Sequence, residues 1–276
     1  MKNMSKFSKA IVYMVLLIQT AIVLIPIYWM IITAFKTPME LTNNRLGLPS
    51  VWHFENFIEA WNVSNMGNYL KNSIILVILV LIICIGSASS IAFVLSRFRF
   101  RGRNALYIFF IAGLMVPVHA VIIPVYAMAV KLGALNNLLY LSLIYSAFGL
   151  PFATFILYSF MWQIPHEIEE SAIIDGCNEW KVFTRIILPI TRDGLISASI
   201  LTALNTWNDL LLPLILLNRE NMKTISIGLR TFFAEFFSDP TLLLAAGFIS
   251  MLPVLLFYVI LQEKVVKGMT MGAVKG

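Results

Sequence analysis

The sequence predicts an all-α, polytopic membrane protein with six transmembrane helices. Of its 276 residues, 59% are hydrophobic and only 12% are charged, and the mean hydropathy is +0.86. Soluble domains carry roughly twice that charged fraction. Several uncharged runs approach the ~20 residues that cross a bilayer as a helix. These observations exclude an unusually apolar soluble protein and predict a single membrane domain over residues 1–276.

Six apolar runs are predicted to be the transmembrane helices, because each is long enough and carries almost no charge. They lie at about residues 10–33, 70–95, 105–127, 138–160, 194–217 and 241–262. The first follows three lysines, as a signal peptide does, but Ala10 to Ala34 is too long for the apolar region of one. Prolines in or near these runs, such as Pro117 and Pro213, predict kinks that neighbouring helices can accommodate.

The Lys and Arg residues predict the orientation in the membrane. Thirteen of the 20 lie on the N-terminal side of the bilayer if six helices cross it. Because cytoplasmic loops are enriched in Lys and Arg, both termini are predicted to be cytoplasmic. This places residues 165–189 and the tail 263–276 in the cytoplasm, and residues 218–240 outside.

The composition also limits the other classes of function. The net charge of +6 comes from basic residues that flank apolar runs, with no recognisable nucleic-acid module, so no nucleic-acid partner is expected. The two cysteines, Cys84 and Cys177, suggest neither a disulfide framework nor a metal site.

A charged island, residues 165–189, interrupts the apolar sequence. Pro165 suits the first turn of a helix, and the glutamates that follow are favoured there by the helix dipole. Gly176 can end this helix as a left-handed residue. A second short helix is predicted through Trp180, Phe183 and Ile187, closed by Leu188 and Pro189.

The spacing within the island resembles the cytoplasmic "EAA" loop of bacterial ABC-importer permeases. Glu170-Ser171-Ala172 is followed by Gly176 and then by Ile186-Ile187-Leu188-Pro189, with serine where the pattern has its first alanine. The resemblance implies that this coupling loop docks on a separate ATPase. Nine residues are assigned to the coupling: Glu169, Glu170, Ser171, Ala172, Asp175, Gly176, Ile186, Leu188 and Pro189. The alternative is a connector on the lipid headgroups, which the glutamates disfavour because the inner leaflet is anionic.

Four further stretches resemble carbohydrate-importer permeases of the maltose-system type, specifically the shorter, six-helix subunit. They are residues 35–41, 98–103, 207–214 and 267–276. The resemblance implies a type I ABC importer transmembrane domain in the bacterial plasma membrane, surrounded by lipid. It also implies a second permease subunit, for which family precedent favours a different chain, two ABC ATPase subunits and an extracytoplasmic sugar-binding protein.

The resemblance also assigns a place to the C-terminal tail, near the ATPase interface. The residues concerned are Gly272, Ala273, Val274, Lys275 and Gly276. The alternative is a disordered tail, as at many chain termini.

The sequence contains no site for ATP. The pattern G-x-x-x-x-G-K-[ST] does not occur in it. The chain is therefore expected to be non-catalytic and to bind no cofactor, with ATP used by partner subunits.

Asp209 is the candidate for a polar group on the substrate pathway, together with Asn205, Trp207 and Asn208. Ionisable groups in membrane helices usually face a cavity or a polar partner. Two interpretations stay open: contacts to sugar hydroxyls with Trp207 stacking on a ring, or a hydrogen-bond cluster between helices that holds the permease pair together. His119, beside Pro117, could be a polar residue of the pathway, but it is interpreted as a packing histidine.

Two other functions compete with sugar import. An importer of a non-sugar solute, such as a polyamine, would share the EAA loop. A polytopic membrane enzyme would need a convergent set of catalytic or metal-binding side chains, and the three histidines have no metal-ligand companion at short helical spacing.

Overall fold

A computed structural model describes residues 5–63 and 65–273. Side chains at positions 6, 8 and 260–273 are not part of that description. The described chain is helical and divides into two compact units, Met1–Met66 with Gly228–Leu252 and Gly67–Ile227 with Pro253–Gly276. The α-helices are α1 Lys6–Ala34, α2 Pro38–Asn43, α3 Glu55–Val63, α4 Met66–Val80, α5 Gly86–Arg97, α6 Arg103–Ala112, α7 Ile122–Lys131, α8 Leu138–Trp162, α9 Glu167–Ile174, α10 Glu179–Lys181, α11 Leu188–Ile190, α12 Arg192–Asn208, α13 Leu211–Leu216, α14 Ile225–Glu235 and α15 Pro240–Ala273.

Four helices in the described ranges are long and apolar enough to cross a membrane. They are Lys9–Ala34, Met66–Arg97, Leu138–Trp162 and Pro240–Val259, and the second contains a π-helical turn between α4 and α5. Two bent pairs of helices bring the number to as many as six. The predicted class, an all-α polytopic membrane protein, is confirmed.

The third predicted span is broken rather than continuous. The helices Arg103–Met115 and Val118–Lys131 meet at an angle of 85°. The break lies at Pro117, whose φ of −72° and ψ of 117° are extended. Proline lacks the N–H that a continuous helix would use there. The sequence predicted a kink at this residue, and the structure shows a much sharper turn.

The fifth predicted span, residues 194–217, also differs from expectation. Helix α12 ends at Asn208, Asp209 is extended with φ −70° and ψ 132°, and α13 begins at Leu211. Pro213 cannot donate to the carbonyl of Asp209, so a continuous helix would lack that hydrogen bond. Asp209 therefore lies at a break between two helices and not within one.

The last helix continues beyond the predicted sixth span. α15 runs from Pro240 to Ala273, and so includes most of the predicted tail 263–276. Val274, Lys275 and Gly276 lie outside the described residues.

Aromatic packing organises the first unit. Phe35, directly after α1, has its ring 5.0 Å from Trp52, 5.1 Å from Phe54 and 4.7 Å from Phe57, measured between centroids. Phe57 in turn contacts Phe248 at 5.9 Å. These aromatic residues are therefore engaged with one another in a cluster that joins the segment after α1 to α3 and α15.

A buried lysine supports the same segment. Lys36 is 0% exposed, and its Nζ donates to the carbonyl oxygens of Asn44 and Gly47, both at 2.7 Å. The amide of Asn56 donates to the carbonyls of Ala34 and Lys36 at 2.9 and 2.8 Å. Because a buried ammonium group needs polar partners, these bonds hold the chain after α2 against the end of α1.

The second unit is built around the packing of α5, α8 and α12. Its core includes Leu157 and Met161 of α8 and Ala92 of α5, all fully buried. Gly194 at the start of α12 lies so close to α8 that a Cβ atom would come within 2.7 Å of the Phe160 ring. Small residues allow membrane helices to approach closely, and this packing brings the charged island to the ends of α5 and α8.

Candidate functional site

The charged island folds into two short helices joined by a tight turn. α9, Glu167–Ile174, begins with three glutamates in its first turn and ends before Gly176. Gly176 has a φ of +85°, so the predicted left-handed residue is confirmed. The amides of Gly176 and Cys177 donate to the carbonyls of Ile173 and Ala172 at 3.0 and 2.9 Å, which closes the helix in the manner of a glycine C-cap.

The second helix of the island ends later than predicted. It runs over Glu179–Ile190 and contains a π-helical stretch, Val182–Ile187. Pro189 therefore lies in its last turn rather than after it. The chain bends by 76° between Ile190 and α12, so this helix points away from the direction of α12.

The two faces of α9 have different surroundings. Glu169 and Ala172, three residues apart, are buried against the second unit, whereas Glu170 and Ser171 are exposed. Ala172, assigned above to the coupling residues, therefore lies on the buried side of α9 and not on its exposed surface. A spacing of three residues puts both side chains on the side that already packs on the subunit.

The nine predicted coupling residues separate in the same way. Glu169 and Ala172 are buried, and Ile186 and Leu188 pack on the core. The exposed members are Glu170, Ser171, Asp175, Gly176 and Pro189. The Ser171 hydroxyl donates to the Glu167 carbonyl of its own helix at 2.8 Å, so this substitution in the motif is accommodated locally.

Exposed apolar side chains adjoin these polar residues. Ile174 is 85% exposed and Trp180 is 68% exposed, and Ile173 is also exposed. The sequence interpretation did not single out these side chains as a surface. Large exposed apolar residues on an otherwise charged loop are candidates for a protein interaction surface.

Glu169 is engaged within the subunit. Its Oε1 lies 2.8 Å from Nε of Arg97, the last residue of α5, and the two side chains are 11% and 3% exposed. Burial raises the pKa of Glu169, and the nearby positive charge of Arg97 opposes that shift. The sequence interpretation missed this pair, because 72 residues separate its members and neither belongs to a local pattern with the other.

A second feature of this unit is a cavity of about 350 Å³ beside the two helix breaks. Both polar and aromatic groups line it. They are Val118, His119, Tyr145, Phe148, Gly149, Phe152, Thr202, Asn205, Thr206, Asp209 and Leu212. Cavities of this size are within the range that holds small ligands, and irregular backbone often borders such sites in transporters.

Asp209 has several partners at this cavity. Its Oδ2 accepts a hydrogen bond from the Tyr145 hydroxyl at 2.6 Å, and its Oδ1 accepts from the Leu211 amide at 3.1 Å. Its backbone carbonyl accepts from the Ser226 hydroxyl at 2.8 Å. Asp209 thus binds the first amide of α13 and joins that helix to α8 within this chain, while still lining the cavity.

The other predicted pathway residues divide between two surfaces. Asn205 lines the cavity with Asp209, but Trp207 lines a separate apolar groove of about 210 Å³. Asn208 is exposed and lines neither. The helical period explains this division, since residues two apart point to different sides of α12. Trp207 therefore cannot stack on a ligand held beside Asp209 in this arrangement.

His119 and Tyr145 are two polar cavity residues that were not among the predicted pathway residues. The expectation of a packing histidine is wrong, because His119 is exposed and lines the cavity. The position of His119 two residues after Pro117 could have marked it as a site residue. Nothing in the local sequence marks Tyr145, because it lies within the apolar helix α8.

A profile of one protein family matches most of the chain. The family is described as the binding-protein-dependent transport system inner membrane component, and residues 82–271 match it. The matched range includes the whole charged island and every residue that lines the cavity.

Curated relatives align over nearly the whole chain. The diacetylchitobiose uptake system permease protein NgcG of Streptomyces coelicolor is 35% identical over 265 residues, which cover 95% of this chain and 88% of that protein. The arabinooligosaccharides transport system permease protein AraQ of Halalkalibacterium halodurans is 29% identical over 259 residues, or 92% of each protein.

A solved structure shares the fold. A chain from the crystal structure of a bacterial ABC transporter involved in the import of the acidic polysaccharide alginate superposes with a TM-score of 0.82 at 20% identity. The superposition covers 94% of this chain and 98% of that chain. At this identity the likeness shows the fold alone.

Proposed function

Because this chain belongs to the family of binding-protein-dependent transport system inner membrane components, we propose that it is a permease subunit of an ABC importer for oligosaccharides. It is a multi-pass protein of the bacterial plasma membrane. The cavity at the two helix breaks is the observation that carries the proposal, because its lining suits a polyhydroxylated ligand. Hydroxyl, amide and carboxylate groups can bind sugar hydroxyls, and Phe148 and Phe152 add aromatic surface.

The names of the relatives support a sugar as the solute. NgcG is named for diacetylchitobiose and AraQ for arabinooligosaccharides, and the solved importer carries alginate. The cavity lining adds His119, Tyr145, Asn205 and Asp209 as the polar groups that would contact the sugar. Trp207 is assigned to the apolar groove. A contact between Asn208 and the sugar stays a prediction, since Asn208 lines neither the cavity nor the groove.

ATP hydrolysis is assigned to two separate ATPase subunits, one of which docks on the charged island of this chain. The docking surface comprises the exposed residues Glu170, Ser171, Ile174 and Trp180. Its carboxylate can pair with Arg or Lys of a partner, and its apolar side chains lose their contact with water on docking. The helices then alternate between inward and outward access. This chain itself catalyses no reaction, because ATP is hydrolysed by the ATPase subunits.

The remaining partners are a second permease subunit and an extracytoplasmic sugar-binding protein. A solved structure of the alginate transporter contains a periplasmic protein with a bound alginate pentasaccharide. α1 is available to contact lipid or the second permease subunit, since its most apolar 18-residue window has no residue buried within the described chain. Residues 218–240 are assigned to the binding-protein side, and the tail Gly272–Gly276 to the ATPase side.

Reconstitution of the whole transporter in lipid vesicles tests the proposed function. We expect uptake of a labelled oligosaccharide that requires ATP, both ATPase subunits and the loaded binding protein, because this chain lacks an ATP site. A panel of oligosaccharides and polyamines identifies the solute class. ATP hydrolysis by this chain alone, or uptake of polyamines and not of sugars, would contradict the proposal.

Gly176→Ala is expected to weaken the binding of the ATPase subunits about tenfold. Alanine disfavours the left-handed backbone by about 1–2 kcal/mol, so the free variant is expected to leave that conformation and to recover it only on docking, which costs roughly that factor in affinity. No described atom lies within 4 Å of a Cβ added at Gly176, so the effect comes from the backbone and not from a clash. Titration of purified permease with ATPase subunits measures it.

Gly176→Asn is the matched control for this prediction. Asparagine enters the left-handed region more readily than other residues with a Cβ atom, so it should retain most of the binding. Equal losses in the two variants would mean that the conformation of Gly176 is not the cause.

A further inference from the structure

Arg97 connects three elements at the end of the membrane helices. It is the last residue of α5, and its Nη1 donates to the carbonyl oxygen of Ile164 at 2.9 Å. Its Nη2 donates to the carbonyl of Met161, near the end of α8. Its Nε faces Oε1 of Glu169 on α9 at 2.8 Å. The guanidinium group of Arg97 therefore links α5, the C-terminal end of α8 and α9.

The link is sheltered from water. The Arg97 and Glu169 side chains are almost fully buried. Neither Nε of Arg97 nor Oε1 of Glu169 has a hydrogen-bond partner within the described ranges, so each atom is balanced by the charge of the other. Since a buried charge without its partner is strongly unfavourable, the two side chains are expected to move together.

An aromatic contact joins the other half of the island to the same helix. The ring of Phe93 in α5 lies 4.8 Å from that of Phe183, which belongs to the π-helical stretch Val182–Ile187. Both side chains are buried. The two halves of the island are thus fastened to α5 by one ionic and one apolar contact.

Consecutive residues of α9 lie on its exposed and its buried face. Glu170 points outwards to the proposed docking surface, whereas Glu169 points inwards to Arg97. A movement of the exposed face of α9 would therefore reach α5 and α8 through the contact between Glu169 and Arg97. Coupling between distant sites is carried by such networks of packed and hydrogen-bonded side chains when they have two arrangements.

We propose that Arg97 and Glu169 are positioning residues that transmit movement of the docked helix α9 to α5 and α8. The proposal rests on the proposed function, because it requires an ATPase on the outer face of α9. It assigns Glu169 to transmission within the subunit and leaves Glu170 to binding of the partner.

The test compares single and double variants in the complete transporter reconstituted in vesicles. Arg97→Met and Glu169→Met each remove one charge, and the double variant removes both without leaving a buried charge unpaired. Three quantities are measured: co-purification of the ATPase subunits, ATP hydrolysis with and without loaded binding protein, and oligosaccharide uptake. Arg97→Lys retains a positive charge, and Arg99→Met changes an exposed arginine of the adjoining loop in the same way.

We expect the double variant to retain its ATPase subunits but to lose about tenfold in sugar transported per ATP hydrolysed, a typical size for coupling between sites. Arg97→Lys should recover part of this ratio, and Arg99→Met should match the unchanged protein. If a single variant fails to assemble, the double variant decides the test.

Three outcomes would overturn the proposal. The first is a double variant with an unchanged ratio of transport to hydrolysis, which would give the pair a structural role only. The second is a double variant that loses its ATPase subunits or fails to assemble. The third is an equal effect of Arg99→Met. If instead the unchanged transporter shows no sugar uptake, it is the proposed function that fails.

Discussion

Glu170→Lys is expected to abolish sugar uptake and to release the ATPase subunits, while the permease still inserts in the membrane. Glu170 is exposed and lies in the first turn of α9, where the helix dipole favours a negative charge. Lysine reverses the charge that the docking surface offers to Arg or Lys of the ATPase. Because the side chain has no buried contact, the subunit itself should fold normally.

Co-purification of the ATPase subunits and uptake by whole cells measure this effect, with the amount of permease in the membrane as a check. Glu59→Lys is the matched control, because Glu59 is also an exposed helical glutamate but lies between the first two predicted spans, on the outer side if the N-terminus is cytoplasmic. Uptake retained in Glu170→Lys would exclude the island as the docking surface. Loss of uptake in both variants would point to a general effect of added positive charge.

Asp209→Ala is expected to reduce oligosaccharide uptake about tenfold or more. The substitution removes the acceptor for the Tyr145 hydroxyl and for the Leu211 amide. These bonds help to fix the shape of the cavity, and the proposed contact of the carboxylate with the sugar would be lost as well. A hydrogen bond to a charged group contributes about 1.5–3 kcal/mol, so the loss of the proposed sugar contact alone corresponds to a factor of ten or more in binding.

Asp209→Asn separates the two interpretations of this residue. Asparagine is a good helix cap, so it should restore α13 if capping is the main role. It removes the negative charge, however, and so should not restore uptake if that charge contacts the sugar. The concentration dependence of uptake and the thermal stability of the purified permease measure the two roles separately.

Trp207→Phe is the control for the cavity, since Trp207 lines the apolar groove instead. It should leave the concentration dependence of sugar uptake unchanged. Unchanged uptake and stability in both Asp209 variants would leave the residue without a role in either process.

The fold class and the charged island could be predicted from the sequence because their signals are local. Long runs without charge predict membrane helices, and the spacing of Glu170, Gly176 and Pro189 predicts the two short helices of the island. The left-handed conformation at Gly176 agrees with that prediction. Each of these features depends on neighbours within a few turns of helix.

The breaks in the membrane helices were only partly predictable. Pro117 was visible as a kink, and Asp209 is a residue type that caps helices, but hydropathy continues across both breaks and hides them. Tyr145 and His119 became candidate ligand contacts only once the breaks brought them to the same cavity as Asp209.

The sequence by itself determined that this protein is an all-α membrane protein with a short charged helix between its apolar runs, because hydropathy and helical period act over neighbouring residues. Only the tertiary structure decided that Glu169 faces inwards to Arg97 while Glu170 faces outwards, and that Asn205 and Trp207 line different surfaces. The physical reason is that the side of each helix that is buried depends on which helices pack against it. That packing joins residues such as Arg97 and Glu169, which no local pattern relates.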